Sequence, residues 1–416
     1  MKILMLSAYF PPEVGSASHL FYDLGIEFVR RGHEVAVLTG YPTYNVDVER
    51  LPVHYRSGWW MKEMVDGMRV VRIRTIGMPR QIPVLRGVGQ LTLSMALSFS
   101  GLFLEPKRFD VILLYSPPLF LALAALFLRP FKKSKVVLNV QDLFPQSAID
   151  LGLLRNNSLI RVFRSIESFA YKRADAVTVH SRGNKEHVLR CNGSPQKTYV
   201  VPNLVDTREL TPGHRLNAFR EREEIGKEKF VVSFAGVIGL SQDLDTVIDA
   251  ARILKDETDI LFYIVGDGLE KARLMKKAEG MPNLRFLPML PKKEYAELLH
   301  ASDACLATLR REVKTPVVPS KILSIMAAGR AVIASLPLEG DAPAIIQEAQ
   351  SGLCVEPENP AKLSDAIRRM YKDADGTLAC GKNGRRFVEQ NFSADVCTGL
   401  YEEIFRSILS KRGKEQ

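Results

Sequence analysis

Apolar residues along the chain fall into short unbroken runs separated by longer stretches in which apolar and polar positions alternate at helical spacing. Such runs read as strands buried on both faces, and the alternation of strand and helix predicts an α/β fold with parallel sheets. KILMLSAYF predicts a first strand, PPEVGSAS a loop, HLFYDLGIEFVRR a helix ended by Gly32, and HEVAVLTG a second strand. DVILLYS, KVVLNVQD, AVTVHS and TYVVPN extend the same sheet. The pattern then breaks at VPNLVDTRELTPG, and the charged segment NAFREREEIGKEK leads to a new buried strand, FVVSFAG. A boundary near residue 204 follows. Beyond it the pattern repeats: FVVSFAGVIG, a helix from Leu244 to Leu254, ILFYIVGDG, a further helix, and NLRFLPML. Two Rossmann-like domains are expected, one at 1–204 and one at 205–388.

Length and composition agree with this. At 416 residues, 46% hydrophobic and 25% charged, the chain exceeds a single core and has none of the marks of disorder or of a disulfide scaffold. Its five cysteines show no C-x-x-C pair and no nearby histidine spacing, so no zinc site is expected and a reducing cytosol fits. MKILMLSAYFPPE reads as a strand start and not as an export signal. Charge is uneven: up to Val205 there are 26 Lys and Arg against 15 Asp and Glu, or +11, and the rest balances 31 against 32, or −1. No nucleic-acid motif accompanies the basic half, which leaves anionic lipid or phosphorylated ligands. Gly87–Leu104 and Val111–Leu128 carry no charge, but the first is diluted by small polar residues and the second is split by Pro117 and Pro118. Arg129, Lys132, Lys133 and Lys135 follow, placed to meet anionic headgroups. Core helices beneath a solvated charged turn are the alternative.

Candidate chemistry lies at strand-to-helix turns, where open α/β sheets bind ligands. Gly15, Ser16 and Ser18 occupy the first such turn. Gly236 and Gly239, with Ser241 and Gln242, occupy the first turn of the second half, and Gly266 and Asp267 the next. Each could simply be a tight turn; together they suggest a nucleotide-diphosphate site. Lys321 lies just inside a short apolar helix, where an ammonium can meet a phosphate or a sugar hydroxyl. Gln141 and Asp142 follow KVVLNV at the carboxyl edge of the first sheet, with a helix N-cap as the competing role for Asp142.

YFPPEVGSAS, RRGHEVAVLTGYP, VQDLFPQSA, VPNLVD, FAGVIGLSQDLDTVIDAA, VGDG and VPSKILSIMAAGRAVIASL, in this order over nearly the whole chain, resemble the GT-B glycosyltransferases of family 4. Within that family the chain looks like the WbuB-like and colanic-acid-type branch that builds bacterial surface polysaccharides. The resemblance implies an acceptor-binding first domain, a donor-binding second domain, and a carboxy-terminal helix, here 389–416, that returns to the first domain. It implies that Gly15 and Ser16 border the donor phosphates, that Gly236, Gly239, Gln242, Gly266 and Asp267 line the phosphate turns, and that Leu290 reads the base through its backbone. It also places Ser320 and Lys321 at the diphosphate or ribose. Beside these, Ser324 is expected at the donor, Gln141 and His19 on the acceptor side, and Asp142, touching the acceptor or the donor sugar, is expected to be catalytic with Lys321. The chain departs from the wider family at several points. The family's two glutamates, eight positions apart, become Pro316 and Ser324, its Arg and Lys in the phosphate turn become Val237 and Gln242, and its histidine becomes Gln141.

The activity implied is retaining transfer of a sugar from a nucleotide-sugar donor, a UDP-sugar first, to a lipid-linked saccharide in exopolysaccharide, capsule or O-antigen synthesis. No cofactor and no metal are expected, and no nucleic acid. The enzyme is expected in the cytoplasm, peripheral on the inner face of the plasma membrane. A UDP-sugar 2-epimerase and a non-catalytic nucleotide-sugar-binding protein share the architecture and stand as alternatives.

Overall fold

The computed structural model describes residues 1–410 apart from 14, 44–45, 48, 76–82, 151 and 314–317, with backbone alone at 16 and 83–86. The chain divides into two compact units, one of Met1–Leu204 with Ala394–Gln416, the other Val205–Ser393.

In the first unit eight strands form one sheet: β1 (Lys2–Leu6), β2 (Glu34–Gly40), β3 (Trp60–Val65), β4 (Met68–Ile73), β5 (Val111–Ser116), β6 (Lys135–Val140), β7 (Ala176–Val179) and β8 (Thr198–Val200), in the order β3-β4-β2-β1-β5-β6-β7-β8. Alternate residues of the central strands feed two cores, as strand geometry requires. Leu4, Leu6, Leu38, Ile112 and Leu114 join the core that includes Leu97, Leu121 and Leu128 from the helices Pro83–Leu102 and Leu121–Lys132. Ile3, Met5, Val37, Val111 and Leu113 face the other way, onto Phe21 and Phe28 of the helix Ser16–Arg30 and Tyr401 and Phe405 of the last helix, Ala394–Ser410. That last helix is pinned by Arg31 and His33, which both meet Glu402. It begins at Ala394, five residues after the expected 389, because the preceding helix, Ala374–Asn391, belongs to the second unit.

One strand departs from the all-parallel expectation. β3 runs antiparallel to β4 across a two-residue turn in which Asp66 and Gly67 both have positive φ, 47° and 83°. An Asp-Gly pair suits that turn because both positions must adopt left-handed backbone. β3 is the sheet edge, so its burial alternates, whereas β1 and β5 are buried throughout or nearly so.

The second unit holds a six-stranded parallel sheet of β9 (Phe230–Ala235), β10 (Ile260–Val265), β11 (Leu284–Leu287), β12 (Ala304–Thr308), β13 (Ala331–Ser335) and β14 (Gly352–Val355), in the order β11-β10-β9-β12-β13-β14. In each sheet the strand order reverses beside the first central strand, β1 in one and β9 in the other. The loops that diverge at such a switch point leave a crevice at the carboxyl ends of the strands.

Candidate functional site

At the carboxyl edge of the second sheet three turns stack through their backbones. Gly236 N–H donates to Val265 O at 3.0 Å, Ile238 N–H to Asp267 O at 2.8 Å, and Gly266 N–H to Leu287 O at 3.2 Å. The stacking leaves no room for side chains. A Cβ on Gly266 would fall 1.8 Å from Gly236 O, and one on Gly268 would fall 2.3 Å from Ile238 O, with φ of +148° and +152° respectively. Gly239 differs, since a Cβ there would meet only Val237 Cγ1, at 3.7 Å, and packing does not demand glycine. Asp267 is exposed and accepts the N–H of Gly268. Leu290 is half-buried against the cluster of Phe219, Val231 and Tyr263.

Lys321 reaches this edge from the helix Ser320–Ala327. Its ammonium donates to Gln242 Oε1 at 2.9 Å, lies 3.6 Å from the centre of the Phe234 ring, and would be 3.3 Å from a Cβ on Gly236. The sequence-predicted Gly236, Gln242 and Lys321 are therefore in one place. Burial of the ammonium lowers its pKa to about 7, although the residue as a whole is only half-buried. Among the described residues no carboxylate pairs with it. Ser320 is exposed at the start of the same helix, and Ser324 is half-buried within it. A second cation was missed by the sequence reading. Arg310 follows β12, the strand across the switch point, and its N–H donates to Ser241 O at 3.0 Å. Its Nε is buried without a hydrogen-bond partner. The signal was its place just after a buried strand, obscured by the charged run RREVK.

The corresponding edge of the first sheet is neutral to acidic. Glu13 is buried and ties two loops together, Oε2 accepting from Phe10 N–H at 3.1 Å and Oε1 from Thr43 N–H at 2.8 Å. Gly15 precedes the first helix in extended backbone, Ser16 opens that helix, and His19 is exposed on it. Ser16's side chain lies outside the described residues. Gln141 turns back into the unit, its amide nitrogen donating to Asn139 Oδ1 at 2.9 Å and Asn203 Oδ1 at 2.7 Å. Asn139 in turn meets Thr178 and Tyr401, so this ladder joins β6, β7 and the last helix. Asp142 stays exposed, its N–H directed to Ser116 O, and partial desolvation raises its pKa above the usual carboxylate range. It does not cap the following helix, which begins at Gln146. His180, buried at the end of β7 against Asn184, is a further edge residue that the sequence reading did not single out.

Residues 17–204 match the glycosyl transferase 4-like domain, and residues 217–387 match glycosyl transferases group 1. The chain belongs to the family 4, group 1 glycosyltransferases. It is 25% identical over 378 residues to the glycosyl transferase WcaI of Escherichia coli K12, named for colanic acid biosynthesis, covering 89% of this chain and 92% of that one. It is 27% identical over 329 residues to the glycosyltransferase WbjE of Pseudomonas aeruginosa, covering 78% and 81%. Among solved structures, sucrose-phosphate synthase of Thermosynechococcus elongatus superposes with a TM-score of 0.76 at 16% identity, over 99% of both chains. Anabaena HepE in complex with UDP-glucose gives 0.72 at 16% identity, over 98% of this chain and 100% of that one. The fold is thus GT-B, two parallel-sheet Rossmann-like units, and the protein is a glycosyltransferase of the kind found in bacterial polysaccharide synthesis.

Two expectations for this glycosyltransferase need correction. Of the four cations expected at a membrane surface, Lys132 is buried, its ammonium donating to Leu104 O at 2.5 Å and Leu102 O at 3.3 Å. Those carbonyls end the Pro83–Leu102 segment, where a helix lacks internal partners, and the lysine supplies them. Arg129 and Lys135 both pair with Asp175. The expectation that no Asp-x-Asp triplet and no histidine spacing occur is also wrong: Asp243–Asp245 and Asp373–Asp375 are such triplets, and His187 stands four residues before Cys191. In the first triplet Asp243 accepts from Glu358 N–H, while Asp245 is held by Arg273 and Lys277, whose hydrogen bonds lower its pKa to about 2. In the second, Asp373 caps Gly376 N–H. His187 and Cys191, by contrast, meet Glu167. Pro316, one of the two positions where the family carries glutamate, lies outside the described residues.

Proposed function

We propose that this glycosyltransferase moves a sugar, with retention of configuration, from a UDP-sugar to a lipid-linked saccharide during synthesis of a bacterial surface polysaccharide. The observation that carries the reading is the enclosed Lys321 ammonium, held beside the Gly236 turn with no carboxylate partner among the described residues. A buried cation without a counter-ion is costly, and an anionic ligand relieves that cost. The diphosphate of the donor sits on this edge, with Lys321 and Arg310 taking up charge as the leaving group forms and the Leu290 backbone meeting the base. The leaving phosphate accepts the acceptor's proton, so the protein contributes positioning and electrostatics, and no metal enters the reaction. Asp142 holds a sugar hydroxyl. The names of the relatives and the UDP-glucose complex of HepE support the choice of donor and pathway class.

The enzyme rests on the cytoplasmic leaflet. No helix among the described residues is long and apolar enough to cross a membrane. Two packed helices of the first unit instead turn phenylalanines outward: Phe99 and Phe103 are 69% and 76% exposed, and Phe127 and Phe131 lie alongside each other on the next helix. With Lys132 buried and Arg129 and Lys135 paired with Asp175, insertion of these rings is the main attachment.

A binding panel of UDP, GDP, ADP and NAD, read by calorimetry and thermal shift, tests the donor site. UDP-selective binding that is lost in Lys321→Ala supports the reading, and NAD selectivity overturns it. Incubation with UDP-sugar alone separates transfer from epimerisation, since free UDP with scrambled sugar and no acceptor is the mark of an epimerase.

A further inference from the structure

The first unit carries a second cluster of reactive groups, remote in the fold from the strand edge that bears Gln141, Asp142 and His180. Glu167 lies in the helix Asn157–Arg173, two turns before it ends and β7 begins. His187 lies in the helix Arg182–Arg190, and Cys191 is the residue that ends it. Both helices approach the amino ends of the strands at this point, so the cluster is set against the opposite end of the sheet from the candidate active site.

Spacing is the informative feature. His187 Nε2 lies 3.4 Å from Cys191 Sγ and 3.4 Å from Glu167 Oε1, one ring nitrogen facing both a sulfur and a carboxylate oxygen. All three ligand atoms lie within 4.8 Å of one another. A single N–H cannot serve both partners well, and 3.4 Å is long for a charge-assisted N–H···O bond, which ordinarily closes to about 2.7–2.9 Å. The two separations from Nε2 suit a shared ion. With Zn–N of about 2.05 Å, Zn–O of about 2.1 Å and Zn–S of about 2.3 Å, tetrahedral angles place N and O about 3.4 Å apart and N and S about 3.6 Å apart. Glu167 is 2% exposed, so its carboxylate needs a cationic partner there. The Tyr171 hydroxyl donates to Oε1 at 2.9 Å, the kind of outer support that orients a metal-binding carboxylate.

From this geometry we infer that Glu167, His187 and Cys191 form a binding site for a thiophilic divalent cation of the zinc class, with water as the fourth ligand. The ion braces one helix against the other at the end of the unit remote from sugar transfer. The site is distinct from the metal-independent chemistry proposed above and stands independently of it.

Co²⁺ titration of the full-length protein, stripped with chelator, tests the assignment. One equivalent should bind and give a thiolate-to-cobalt charge-transfer band with the strong visible bands of four-coordinate cobalt, and one equivalent of Zn²⁺ should abolish them. Cys191→Ser should remove the charge-transfer band, and Glu167→Gln should weaken Zn²⁺ binding by more than the 10- to 100-fold that loss of a supporting group costs. Zn²⁺ should also raise the unfolding midpoint of the parent protein and not that of Cys191→Ser. Because both variants keep size and shape, circular dichroism establishes that they fold. The inference fails if no stoichiometric binding occurs at micromolar Co²⁺ or Zn²⁺, or if the charge-transfer band persists in Cys191→Ser.

Discussion

The two sheets share a topology, but their carboxyl edges carry different chemistry. In the second unit the edge is built from stacked glycine turns and two cations, Lys321 and Arg310. In the first it is built from carboxylates and amides: Glu13 bridging two loops, Gln141 in a ladder with Asn139 and Asn203, and Asp142 exposed. The contrast fits a division of labour in which one edge meets a diphosphate and the other meets hydroxyls. It also shows that the strand order only provides the crevice, and that the residues just past each strand decide what enters it.

The comparison can be broken hardest at Gly266. Gly266→Ala drives a methyl into Gly236 O and strains a positive φ, so we expect a loss of about 3 kcal/mol or more of stability, read by denaturant unfolding, along with loss of UDP binding. Gly239→Ala, one turn away and unconstrained by packing, should leave stability within about 1 kcal/mol and lower donor affinity alone.

Lys321→Met comes next and should lower turnover about 100-fold. Its effect on stability has the opposite sign. Because the folded pKa of about 7 lies below the ordinary lysine value of 10.5, the unfolded chain holds more protons between those limits, and stability rises with pH across that window. The cost of the buried charge is fully present below pH 7, so Lys321→Met should raise the melting temperature of the ligand-free enzyme most at pH 6. Affinity for its UDP-sugar donor should fall about tenfold between pH 6 and pH 8 in the parent enzyme and stay flat in the variant, by calorimetry.

Asp142→Asn should lower transfer about 10- to 100-fold with donor affinity unchanged, which separates the two edges by a split between kcat and donor Kd. Phe103→Ser should reduce liposome flotation about tenfold, whereas Lys133→Ala should change it least, because membrane contact is assigned to the rings.

Most of the fold was legible because buried strands such as VILLYS leave unbroken apolar runs. β3 was not, since an edge strand with alternating burial, WMKEMV, looks like a polar loop, even though Asp66-Gly67 marked the hairpin. At the candidate site the glycines and Lys321 stood out by position. Arg310 did not, because a cation in a charged run looks solvated, and only its backbone bond to Ser241 sets it beside the glycine turns. Lys132 looked like a surface charge for the same reason, while its role depends on carbonyls 28 and 30 residues away. His187 and Cys191 were four apart in plain view, but Glu167, which gives them meaning, comes from another helix.

The first unit is discontinuous, closed by a helix that begins at Ala394. During synthesis residues 1–204 emerge with Phe28 lacking its ring partners Tyr401 and Phe405, and that face stays open until the helix from Ala394 has been made. The first unit therefore completes its core last although it is synthesised first. Cutting the chain after Ser393 should leave the second unit folded and make the first one sticky and protease-sensitive. The same helix makes vectorial synthesis a checkpoint, since a chain stopped before Ala394 cannot complete the core of its first unit.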